Sequence, residues 1–141
     1  MVEAIFVPGQ ARMAYAHIDR MVIGGIVPTG QPIDIGDGAG VGTPHLFDAR
    51  EGGIANLGRH PGRVTVDGVT HALAPRDVLY VGRGARVVTL ASDDAAAPAM
   101  FYLNSVPAGA GHPHRLIRRE QARALTFGTA EKANLRTLRM Y

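Results

Sequence analysis

Cysteine and tryptophan are both missing from these 141 residues, and lysine occurs once, at Lys132. Without cysteine the chain forms no disulfide, carries no thiol nucleophile and offers no thiolate to a metal. Long apolar runs are missing as well. The longest, Met21 to Val27, is interrupted by Gly24 and Gly25 and falls far short of the roughly 20 residues a helix needs to cross a bilayer. No membrane partner is expected. The opening Met1-Val2-Glu3 has neither the basic region nor the apolar core of a secretory signal, so a cytoplasmic location is the expectation. Helix signals are scarce, and only Glu120 to Leu125 reads as helical.

What is present describes a folded chain. Hydrophobic residues make up 46% and charged residues 19% of the sequence, a balance that supports a packed core rather than disorder. The length suits one domain, residues 1–141, with a single core. The net charge of +3 comes almost wholly from arginine, a bias that a coding sequence rich in G and C explains. A functional alternative is that Arg115, Arg118, Arg119 and Arg123 form a patch for nucleic acid, phosphate or carboxylate. No aromatic residues interleave that cluster and Glu120 sits inside it, so no nucleic-acid partner is expected.

Glycine and proline, 18 and 9 residues, recur between short apolar runs, which is how short strands joined by turns are written. Arg63 to Leu73 alternates β-branched and polar residues on both sides of Asp67-Gly68, a strong hairpin signal. Further strands are expected at Ala4–Val7, Ala14–Ile18, Met21–Val27, His45–Asp48, Ile54–Leu57, Arg76–Val81, Ala85–Leu90, Met100–Ser105 and Leu135–Met140. The stretches Gly36 to Gly42 and Asp93 to Pro98 read as surface loops. Strands this closely spaced, with no helices between them for parallel crossovers, predict an all-β antiparallel sandwich or barrel with at most one short helix.

The segment from Gly62 to Ser92, GRVTVDGVTHALAPRDVLYVGRGARVVTLAS, has a cupin cadence of Gly-led strand, V-D-G hairpin, proline-acid turn and Gly-x-Gly corner. Glu51 followed by Gly58 fits the end of a first cupin motif. The ordered segments AYAHIDRMVIGGIVP, GGIANLG, VTVDG and PRDVLYVGRGARVV sharpen this to the 5-keto-4-deoxyuronate isomerase family, whose first half the chain resembles from about Val2 to Tyr141. That resemblance implies a cupin-like double-stranded β-helix, a jelly-roll barrel. It also implies a parent ketol-isomerase acting on a small deoxy-keto-uronate in pectin or polyuronide breakdown. The parent's partners would be a second cupin domain of the same chain and further copies in a homo-oligomer. Its zinc is expected in that second domain, on an H-x-H-x4-E segment and a later histidine, none of which is present here. The strand-like run through Tyr141 carries no stop signal, so the chain is expected to be part of a longer product.

No metal or other cofactor is expected in this half. His45-x-Phe47 with Glu51 keeps one of two motif histidines, and the later histidine position holds Val87. One imidazole and one carboxylate make a poor site, because a divalent ion needs several lone pairs to replace its hydration. His112-x-His114 with Glu120 mimics the ligand spacing elsewhere and reads as a solvated loop.

Catalytic and substrate-binding residues stay unassigned, with His17 and Arg20 as the candidates. In one reading His17 is a general acid or base and Arg20 clamps a uronate carboxylate. In the other, preferred, Asp19 pairs with Arg20 and a backbone group satisfies His17. Arg76 and Asp77 are expected to fix a turn, with Asp77 accepting backbone amides. Tyr15, Tyr80, Phe101 and Tyr102 read as packing residues, and Asn56 as the partner of a backbone group. An aldose-ketose interconversion needs a base and an electrophile for the enediol oxygen, so the chain without the zinc half is expected to be inactive. Its role would be to complete the fold and assemble subunits. Alternatives are a stand-alone metal-free cupin that binds a sugar acid, and an oligomerisation module.

Overall fold

The computed structural model describes residues 4–141; Met1, Val2 and Glu3, where no signal pattern is read, lie outside the described residues. The strands in chain order are β1 (Ala11–Ala16), β2 (Met21–Ile26), β3 (Ile33–Asp34), β4 (Arg50–Asn56), β5 (Gly62–Val66) and β6 (Val69–Leu73). They continue as β7 (Val78–Val81), β8 (Val88–Ser92), β9 (Phe101–Pro107), β10 (Arg115–Ile117), β11 (Arg123–Phe127) and β12 (Arg136–Met140). Six of them form one antiparallel sheet in the order β1-β2-β9-β4-β7-β10, and four form a second in the order β3-β8-β5-β6. β11 and β12 stand apart as a two-stranded hairpin. No helix among the described residues is long and apolar enough to cross a membrane.

Alternation decides which residues meet between the sheets, because successive side chains on a strand point to opposite faces. Val22, Ile26, Ile54, Leu79, Val81, Phe101 and Leu103 from the six-stranded sheet pack in one cluster with Val64, Val66, Leu73, Val88 and Leu90 from the other. Fully burying a side chain of this kind stabilises by about 1.5–3 kcal/mol. Phe47 and Ile35, from the loops, are also enclosed.

The Asp67-Gly68 hairpin joins β5 to β6 with Val66 opposite Val69. Both turn residues take positive φ, 46° and 86°, the backbone that suits the twist of a two-residue hairpin. Asn56, at 0% exposure, donates through Nδ2 to the carbonyls of His60 and Leu73, and its Oδ1 accepts from the Gly58 amide. Phe101 is a core residue, whereas Tyr15, Tyr80 and Tyr102 are half-buried.

Three expected elements differ. Ala4–Val7 is not a strand: the chain here crosses over Gly25, where Ile5 and Phe6 lie too close for any side chain on β2, and it first bridges at Pro8 to Val27. His45–Asp48 is a turn, because Asp48 accepts the His45 amide on its carboxylate and returns its own amide to the His45 carbonyl. Glu120–Leu125 is not a helix. A three-residue 3-10 turn, Arg119–Gln121, leads straight into β11, where pairing of Leu125 with Leu138 and Thr126 with Thr137 overrides helix propensity. Strands β3, β10 and β11 are the ones that the sequence pattern did not announce.

Candidate functional site

Glu51, Tyr80, His112, Pro113, His114, Arg115 and Ile117 line an open cleft of about 630 Å³. It lies on the outer face of the six-stranded sheet, beside its β10 edge. In β4 the residues Arg50, Gly52, Ile54 and Asn56 are buried and the alternate ones are not, which turns Glu51 outward. In β7, Leu79 and Val81 are buried, so Tyr80 faces outward too and stands directly across from Arg115 on β10.

Tyr80 donates its hydroxyl proton to Glu51 Oε2 at 2.6 Å. That bond, then burial, then the charge of Glu51 push the phenol pKa up to about 12, so Tyr80 is a fixed donor at any neutral pH. His114 Nδ1 accepts the Gly82 amide at 3.0 Å, which places the neutral ring's proton on Nε2. Gly82 is needed there: a Cβ at this position would sit 1.9 Å from the His112 carbonyl oxygen. The His112–His114 segment is therefore anchored through His114 rather than a freely solvated loop, although His112 itself is exposed.

A second cleft, about 450 Å³, shares His112, Pro113 and His114 and adds Asp67, Val69, His71, Arg83, Gly84 and Ala85. Burial, followed by the neighbouring charge of His114, lowers the His71 pKa, so His71 is neutral at neutral pH. The Val87 amide lowers the Asp67 pKa most, burial opposes it, and the Arg86 amide and the charges of His114 and Arg86 add to the lowering. Between them the clefts present carboxylate, phenol, imidazole and guanidinium groups, a set able to bind a polyhydroxylated acid. No described group of three or more His, Asp or Glu side chains has metal-holding geometry.

The cupin-motif residues do not fit a metal. Glu51 is engaged by Tyr80 outside the sheet, Phe47 fills the core with 0% exposure, and Val87 offers no lone pair. The inward position beside Glu51 holds a cation instead. Arg50, 5% exposed, donates Nε to Ser105 Oγ at 3.2 Å and Nη2 to the Ser105 carbonyl at 2.8 Å and to the Arg20 carbonyl. Its guanidinium lies 5.8 Å over the Tyr15 ring. Burial lowers its pKa, with the Tyr15 charge opposing and that of Arg20 adding.

His17 and Arg20 occupy the exposed turn between β1 and β2, outside the walls of both clefts. His17 meets Tyr15 edge-on at 4.9 Å. The expected Asp19–Arg20 ion pair does not form among the described residues, whose salt bridges are Arg63–Asp93 and Arg118–Asp77. It is the Arg20 carbonyl that is used. Asp77 does fix its turn, accepting the Ala74 amide at 3.0 Å and the Arg119 amide at 2.9 Å. The basic cluster is dispersed: Arg118 is committed to Asp77, whereas Arg115 lines the cleft.

No family model matches the chain. A 4-deoxy-L-threo-5-hexosulose-uronate ketol-isomerase of Rhizobium meliloti is 43% identical over 141 residues, all of this chain and 50% of that protein. Proteins of the same name from Yersinia enterocolitica and Burkholderia cenocepacia are 39% and 41% identical, covering 100% and 98% of this chain and 51% and 50% of their own length. The chain is a half-length member of that family. It spans about half the length of the ketol-isomerases it matches. Among solved structures, a glyoxylate-induced protein of Pseudomonas aeruginosa superposes with a TM-score of 0.52 at 16% identity, covering 79% of this chain and 38% of the other. A cupin protein of Bacteroides fragilis gives 0.47 at 18% identity, covering 82% and 88%. The chain is all-β and cupin-like, as its six- and four-stranded antiparallel sheets indicate.

Proposed function

We propose that this chain is the fold-completing and assembling half of a ketol-isomerase that interconverts a 4-deoxy-5-keto-uronate, within pectin or related polyuronide breakdown. The observation that carries the proposal is identity of 43% over the whole chain against half of a named ketol-isomerase. Moving a proton between adjacent carbons through an enediol requires a base and an electrophile for the oxygen that gains charge. The electrophile in this reading is a zinc ion held by the half that the relatives possess beyond this match. The half described here supports that division of labour, since the positions of its cupin motif hold Phe47, Val87 and an outward Glu51.

The experiment is complementation. The other half of the Rhizobium meliloti relative is purified as a separate chain and mixed with this one, and turnover of the keto-deoxyuronate is followed. Turnover by the mixture alone is the expected result. Equal turnover by the other half without this chain removes the fold-completing role, and no turnover by a mixture shown to be associated removes the isomerase reading.

The cleft lends weight to a second reading, in which this half binds a sugar acid. Glu51 accepts from hydroxyls, His114 Nε2 donates, and Arg115, whose side chain makes no ion pair among the described residues, can pair with a carboxylate. Thermal stabilisation by galacturonate that disappears in Arg115→Ala supports this reading, and an unchanged melting temperature removes it.

A further inference from the structure

All of the chain's net charge lies in its last nineteen residues. Residues 123–141 carry Arg123, Lys132, Arg136 and Arg139 against Glu131, a net +3, which equals the charge of the whole chain and leaves residues 1–122 neutral. The same segment holds half of the exposed large hydrophobic side chains among the described residues: Phe127 at 45%, Leu135 at 58%, Leu138 at 51%, Met140 at 41% and Tyr141 at 45%. The other five are Met13, Ile18, Leu57, Val69 and Val87.

Strand register gathers these residues into a surface. Leu125 lies opposite Leu138, Arg123 opposite Met140, and Phe127 opposite Arg136, so all six project from one face of the β11–β12 ribbon. The centre of that face is apolar and two diagonal corners are cationic. Arg136 lies 5.9 Å over the Phe127 ring. The opposite face carries Ala124, Thr126, Thr137 and Arg139, the last reaching back to the Arg119 carbonyl. A two-stranded ribbon is marginal by itself in water, and a contiguous exposed apolar face rimmed by charge marks a contact surface.

We propose that the Leu125–Phe127–Leu138–Met140 face docks the other half of the ketol-isomerase chain, through an apolar patch flanked by carboxylates. This rests on the proposed division of the enzyme into two halves. Two facts select that occupant. The relatives are about twice as long as this chain, so their remaining length supplies a partner of domain size. A second copy is a poor fit, since it would bring two ribbons of +3 charge face to face.

The test is calorimetric titration of this chain with the other half of the Rhizobium meliloti relative, purified separately. Wild type is compared with Leu138→Asp, Phe127→Asp and a control, Ile18→Asp, whose wild-type side chain is 95% exposed outside the ribbon. Melting curves check that each variant is folded. The proposal predicts saturable binding, weakened roughly ten-fold or more by either ribbon variant, unchanged by the control, and weakened by added salt. It is overturned by absence of binding, or by ribbon variants that bind like wild type. Loss of the ribbon-dependent contact to self-association, or to vesicles containing phosphatidylglycerol, overturns it equally. Failure of the two-halves reading looks different: the halves associate through the ribbon and turn over no substrate.

Discussion

Arg118 Nη1 donates to Asp77 Oδ2 at 2.8 Å, joining an exposed arginine that follows β10 to a carboxylate only 2% exposed in the turn before β7. The same carboxylate takes amides from Ala74 and Arg119, so one side chain ties the β6–β7 turn to the start of the C-terminal ribbon. Replacing Asp77 by Ala leaves those amides unpaired and is expected to cost about 2–4 kcal/mol, read from urea unfolding.

Asp77 also sets part of the acid limit. Burial raises its pKa, but the Arg118 hydrogen bond, the Arg119 and Ala74 amides and the Arg118 charge outweigh it, and the net direction is down. A carboxylate whose folded pKa is depressed contributes stability above its ordinary unfolded value, near 3.8, and loses it as pH falls from there through the folded value. The wild-type chain should therefore lose stability below about pH 4. Asp77→Asn should be less stable at neutral pH and decline less steeply in acid.

Tyr80 provides an alkaline counterpart. With its pKa at about 12, against an ordinary value of 10.0, the Tyr80–Glu51 bond contributes stability below the ordinary value and loses it as pH rises through the folded one. A tyrosinate absorbance titration should show a late-ionising group. It should vanish in Tyr80→Phe and move down in Glu51→Gln.

Arg50 is held by two carbonyls and Ser105 in place of a carboxylate. Arg50→Ala opens a cavity and strands those acceptors, for an expected loss of about 2–4 kcal/mol in urea unfolding. Arg50→Met, which keeps much of the volume, should lose less.

Much of the fold is legible because it is local. Asp67-Gly68 writes its own hairpin, and the alternation of β5 writes its inner face. Non-local facts are less so. Nothing in the sequence near Leu125 says that Leu138 will pair with it, so a helix-like composition there became a strand. Ala4–Val7 has strand composition, yet finds its place lying over Gly25 rather than in a ladder.

The site was harder still. In Arg50-Glu51-Gly52-Gly53 two ionisable residues are neighbours, and the glycines remove the hydrophobic signal that would show which faces inward. Motif spacing favours Glu51, whereas the structure buries Arg50. His114 looked solvated because its partner, the Gly82 amide, is thirty-two residues away. Asp77 and Asn56 were readable, since a polar residue in a turn or apolar strand has few ways to be satisfied other than by nearby backbone.

Turnover of 4-deoxy-L-threo-5-hexosulose uronate by the purified 141-residue chain alone, with zinc added, separates the roles of the two halves most directly. No isomerisation above the uncatalysed rate is expected if, as proposed, the electrophile is a zinc ion held by the other half. Sustained zinc-dependent turnover by this chain, free of copurifying isomerase, would contradict that proposal.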